Sequence, residues 1–187
     1  MNDTRTKILD VADDLVQRVG LNAMSYKHIS EAIGIRKASI HHHFPKKGDL
    51  IDGMLERCET SYSDRYRQIV NGCGQAPEKL RKIAALFEEG LSNNKLCLVA
   101  SINTDCNTLH ESSSKLLQGT IENTLSIYST VFEQGREERS LTFTGTNAEA
   151  AFTFFSFLIG AQSLARSHGG INSFHQATEL FIEGFIV

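Results

Sequence analysis

Tryptophan is absent from this chain of 187 residues, and proline occurs only twice. So few obligatory backbone breaks point towards helix. The four cysteines, Cys58, Cys73, Cys97 and Cys106, are too few for a secreted disulfide scaffold and form no CxxC pair, so the expected compartment is the cytosol. The opening MNDTRTKILD has no apolar run behind a basic cluster and does not read as a secretory signal. The most hydrophobic stretch, residues 148–165, is interrupted by Glu149, Thr153, Ser156, Gln162 and Ser163. A bilayer-spanning helix of about 20 apolar residues seldom carries so many polar groups, so this one reads as a buried or interface helix and no membrane partner is expected.

A strong positive charge is also missing. The net charge is -3, which argues against a surface that grips nucleic acid everywhere. Its distribution is uneven: residues 1–50 hold 8 Lys+Arg against 6 Asp+Glu, and the remaining residues hold 11 against 16. Four of the seven histidines also fall in the first segment. A small DNA-contacting head on an acidic body has this asymmetry.

What is present is helical periodicity. Ile8, Val11, Ala12, Leu15 and Val19 recur at helical spacing, with Asp3 or Thr4 as N-cap and Gly20 as the stop. Ser25 caps a short helix carrying Ile29, Ala32 and Ile33. Gly34 supplies a sharp turn, and a second short helix runs from about Arg36 to His43. Two short helices joined by a glycine turn make a helix-turn-helix. Further helices are predicted from Lys47 towards Ile69, from Pro77 through Leu91, over residues 111–138, from the Thr146/Glu149 capping box to about Ser167, and from near Ser173 onwards. Residues 96–106 form a short apolar-to-polar segment. No strand alternation of useful length appears, and the fold class is all-α with about nine helices.

The segment from Ser25 to Leu50 is the most informative. Ile33-Gly34-Ile35, then Ala38-Ser39-Ile40, then Phe44 ahead of Lys46-Lys47, resemble in order and spacing the DNA-binding head of the tetracycline-repressor (TetR) family. The resemblance covers residues 4 to about 55. It implies a three-helix, homeodomain-like head at residues 1–46, and a six-helix ligand-binding and dimerisation domain at 47–187. Its partners would be a palindromic double-stranded operator, a second copy of the chain and an unidentified small-molecule effector, with no cofactor. The expected activity is repression. A helical small-molecule-binding protein, or an activator, is the alternative. No nucleophile-base-orienter set, phosphate loop or metal box points to an enzyme.

Within the head, Ile40 and Phe44, four residues apart, anchor the recognition helix. Lys37, Ala38 and His41 face base edges, as does His43 by the family's pattern. Ser25, Tyr26, Ser39, His42 and Lys47 are placed to meet phosphates, and Lys27 to reach a base or a phosphate. Many relatives have tyrosine at positions 41 and 43 and a capping Ser or Thr at position 46. Here imidazoles replace the phenols, and the cap of the next helix must come from elsewhere or be absent. Protonation of these histidines near about pH 6.5 would add charge beside the phosphates. Successive helical positions diverge by roughly 100°, so the three histidines cannot converge on one metal ion.

In the body, Phe152, Phe154, Phe155 and Phe157 cover more than one helix face, so one face calls for a cover from a partner copy. The stretch Lys95-Leu-Cys-Leu resembles the start of the sixth helix in a cysteine-bearing TetR subgroup, some of whose members sense electrophiles or oxidants. That resemblance makes Cys97 a candidate sensor, its thiol activated by a helix N-terminus and Lys95, with Cys106 as a resolving thiol. Cys58 and Cys73 read as packing residues.

Overall fold

The computed structural model describes residues 4–187. Its helices are α1 (Thr4–Val19), α2 (Tyr26–Ile33), α3 (Lys37–His43), α4 (Lys47–Asn71), α5 (Ala76–Ser92), α6 (Leu98–Asn103), α7 (Glu111–Glu137), α8 (Asn147–Ser167) and α9 (Gly170–Glu183). The expected all-α class is observed. Among the described residues β pairing is confined to an isolated antiparallel bridge between Leu141 and Ile186. Asp3, one of the two expected caps of α1, lies outside the described residues.

Two compact units divide the chain. One holds Met1–Thr60 with Cys97–Thr120, the other Ser61–Leu96 with Ile121–Val187. Compactness therefore places α6 with the three head helices, because α6 packs on α1. That is a different division from a functional boundary at residues 46/47.

In the first unit α1 also packs on α2 and α3. The stripe it buries is Ile8, Leu9, Ala12 and Val16, while Val19 is 55% exposed. Periodicity alone selected Val11, Leu15 and Val19 for that stripe. Apolar residues lie on two adjacent stripes of this helix, and its neighbours decided which was covered. Arg57 of α4 ties the outer side of α1 by donating to Asp10 at 2.6 Å and to Asp13.

In the second unit α5, α8 and α9 pack on one another. Phe87, Tyr128, Phe132, Phe154, Phe155 and Phe174 fill the interior. Burial of such side chains stabilises by about 1.5–3 kcal/mol each. Lys79 is buried here as the cap of α4, its ammonium donating to the Val70 carbonyl at 2.5 Å and to Gln134 Oε1 at 2.7 Å. Thr146 and Glu149 form the expected capping box of α8. Pro77 stands in the first turn of α5.

Helix α9 begins three residues before the expected Ser173. Gly169 reverses the chain at φ +78°, where a Cβ would collide with the Ser173 side chain, and the helix starts at once. Residues 96–106 resolve into α6 and the first residue of a separate 3-10 turn, Cys106–Thr108. Cys58 is buried, as its reading for packing required, whereas Cys73 is exposed, against that reading.

Helix α8 has the length and apolar composition to cross a membrane, with mean hydropathy 1.3. Its residues sort into two faces. Ala150, Ala151, Phe154, Phe155 and Leu158 are buried, while Phe152 and Leu164 are 60% and 72% exposed. Phe157 is half-buried and stacks on Phe181 of α9, with centroids 4.0 Å apart.

Candidate nucleic-acid interface

The head is assembled by local chemistry. Ser25, extended at φ -137° and ψ 158°, accepts the His28 amide on its hydroxyl at 3.3 Å and starts α2. Gly34 ends that helix at φ +74°, its amide and that of Ile35 both donating to the Ser30 carbonyl. This left-handed closure is where glycine costs least. The Ser30 hydroxyl donates to the Ile35 carbonyl at 2.7 Å, which fixes the far side of the turn.

Helix α3 is then seated by Ile40 and Phe44, both fully buried. The Arg5 guanidinium lies 5.1 Å from the centre of the Phe44 ring. Gly53 of α4 leaves room for that ring: a Cβ on Gly53 would come within 3.1 Å of it. Tyr26 braces the other end, its hydroxyl donating to the Phe44 carbonyl at 2.8 Å and its ring meeting His41 edge-on at 4.8 Å. Burial, with Asp49 nearby, pushes the Tyr26 phenol up to about 12, so it stays a donor throughout the physiological range.

The residues expected at DNA fall into two groups. Lys37, Ala38, His41 and His42 are exposed along α3, and Ser39 and His43 are half-buried beside them. His41 has its Nδ1 3.3 Å from the Pro45 carbonyl, and His42 and His43 meet edge-on at 5.3 Å. The second group has work inside the head. Ser25 caps α2, Tyr26 spans to α3, and exposed Lys27 pairs with Glu31 at 3.8 Å. Lys47, expected at a phosphate, donates to the Leu21 carbonyl at 2.8 Å. Burial lowers its pKa, opposed by Asp105. This lysine joins the start of α4 to the turn after α1.

Two features were not read from the sequence. The cap of α4 comes from Asp49, three residues into the capping geometry, whose carboxylate accepts the Lys46 amide at 2.8 Å. Acidic side chains at that position are the available signal. The segment after α6 also reaches the head: Asn22 donates to Asp105 at 2.6 Å, and buried Ser113 of α7 donates to Asp52 of α4. Nothing local announces such pairs, which lie 83 and 61 residues apart.

The Cys97 thiol differs from its expected state. Cys97 is the N-cap residue of α6, not a member of its first turn, and burial pushes its thiol up despite hydrogen bonds from the Ala100 and Val99 amides. Desolvation of a thiolate here outweighs the end of a helix of six residues. Cys106, by contrast, is exposed in the 3-10 turn. None of the four cysteines is in a disulfide.

A glycine-turned pair of short helices, with a two-residue apolar anchor and an exposed row of short, basic and imidazole side chains, defines a helix-turn-helix transcriptional regulator. The sequence model of bacterial regulatory proteins of the tetR family matches residues 8–54. The repressor NemR of Escherichia coli is 23% identical over 171 residues, which cover 88% of this chain and 85% of NemR. Among solved structures, a TetR-family regulator from Agrobacterium tumefaciens has a TM-score of 0.92 at 28% identity, covering 98% of this chain and 97% of its own. A TetR regulator from Legionella pneumophila has a TM-score of 0.87 at 29% identity, with the same coverages. Residues 8–54 thus match the DNA-binding domain of the tetR-family regulatory proteins, and the whole chain has the fold of TetR-family transcriptional regulators.

Proposed function

We propose that the chain is a cytoplasmic repressor that binds a palindromic operator as a twofold homodimer and leaves it when an effector engages the body, residues 47–187. The observation that carries this reading is the exposed face of α3 over a fully buried Ile40–Phe44 anchor. Lys37, Ala38, His41 and His43 read bases in this scheme, and Ser39 and His42 set the register on phosphates. Ser25, Tyr26 and Lys47 hold the head in shape, and their outer atoms, with exposed Lys27, lie near the backbone of the duplex in this scheme.

The partner copy is met by α8 and α9. Leu164 and Leu180 are 72% and 73% exposed, and Leu164 lines an apolar groove of about 420 Å³ with Phe157, Gly160, Ala161 and Ala177. A second copy related by a twofold axis covers both faces and sets the spacing of the two heads. Release follows from a changed spacing, since heads not about one helical turn apart cannot both dock. The Asn22–Asp105 and Ser113–Asp52 contacts support a route from the α6–α7 connection to the head. The effector is a small molecule or an electrophile, and an electrophile meets exposed Cys106 more readily than Cys97.

The test is operator binding by fluorescence anisotropy with Lys37→Ala and His41→Ala. Each is expected to lose roughly tenfold or more in affinity with an unchanged helical circular-dichroism signal. Full affinity in both variants would remove α3 from the interface.

A further inference from the structure

The cations of the head divide by partner. Arg5 lies over Phe44, Arg18 pairs with Asp14 at 2.9 Å, Lys27 with Glu31, and Lys47 with the Leu21 carbonyl. Lys7, Arg36, Lys37 and Lys46 are exposed and have no side-chain partner among the described residues, and of these Arg36 and Lys37 stand at the start of α3. Lys37 is the first residue of α3 and is already among the proposed readers. Arg36 stands one residue earlier, as the N-cap, with φ -72° and ψ 145° and no side-chain capping bond.

That position is locally wrong for arginine. The same chain caps α2 with Ser25 and α8 with Thr146, each accepting an amide on its hydroxyl. An arginine accepts nothing, and its charge opposes the positive end of the helix. A residue that breaks the local rule, exposed and without an intrachain partner, is the pattern of a functional side chain. In a helix-turn-helix the start of the recognition helix is the part directed at base edges. Ala38, two residues on, has no bulk to crowd a long neighbour. A planar guanidinium makes two parallel bonds to guanine O6 and N7, the commonest specific contact in a major groove.

We propose that Arg36 is a specificity-determining residue that reads one guanine in each operator half-site. The proposal rests on the DNA-binding reading above. It is tested by selecting bound sequences from random duplexes with the wild-type chain, Arg36→Lys and Arg36→Ser. The wild type is expected to return a palindrome with a fixed guanine in each half. Arg36→Ser should lose the preference at that position alone and bind the wild-type site roughly 5- to 150-fold more weakly, and Arg36→Lys, a cation without the planar fork, should weaken the preference. Arg36→Ser should also restore a cap and raise the melting temperature while lowering specificity, which a merely structural role would not do. The same guanine preference in both variants overturns the proposal. So does a uniform loss at all positions with a shallower salt dependence, the mark of a phosphate contact. A wild-type chain that enriches no sequence overturns the DNA-binding reading itself, and the proposal with it.

Discussion

The head and the α8–α9 face each leave a surface without an intrachain partner, and the two surfaces are chemically opposite. On α3 the uncovered side chains are Lys37, His41 and His42, beside a core that is fully closed. On α8 and α9 they are Phe152, Leu164 and Leu180, on helices whose other faces are packed with phenylalanine. Water solvates the first set well, so leaving it exposed costs little, and a polyanion is its natural complement. Water solvates the second set badly, so apolar surface is its complement. One face suits a reversible, salt-sensitive contact, the other a lasting one.

Breaking the apolar side of that comparison should have the largest effect. Leu164→Glu strands an unpaired carboxylate in an apolar contact, at a cost above about 3 kcal/mol. Sedimentation should then show monomers where the parent chain is dimeric; an unshifted dimer would place the interface elsewhere. Next comes the anchor of the polar side. Ile40→Ala is expected to destabilise by about 2–5 kcal/mol and to abolish operator binding through loss of the seated α3, read by denaturant unfolding. Equal stability would mean that Ile40 does not anchor α3.

Smaller effects sharpen the picture. Gly34→Ala puts a side chain at φ +74°, in open space, so only backbone strain counts: about 1–2 kcal/mol in a thermal melt. A thiol comparison is the mildest. Because burial raises the Cys97 thiol, little thiolate is present at neutral pH, and the fraction grows as pH rises. Alkylation at pH 7.5 should label exposed Cys73 and Cys106 first, with Cys97 catching up at higher pH. Early labelling of Cys97 would restore it as an activated thiol.

Legibility in the sequence followed locality. Ser25, Gly34, Ile40 and Phe44 act over a few residues, and their roles were readable from spacing. So was the Thr146–Glu149 box. Val19 and Cys73 were misread because burial depends on neighbours remote in the chain, and the burial that raises the Cys97 thiol is equally non-local. The charge of Lys47 was visible in the sequence, and its bond to the Leu21 carbonyl, 26 residues away, was not.

By itself, then, the sequence determined the helical class, the glycine turn and the pair of side chains that seat the recognition helix, since each depends on torsional preference or on periodicity. Only the tertiary structure decided which stripe of α1 is buried, where the Lys47 ammonium goes, how the segment after α6 is tied to the head through Asn22 and Asp105, and that Arg36 stands exposed without a partner. Those outcomes depend on what packs against what, and the desolvation that follows sets both charge states and contacts.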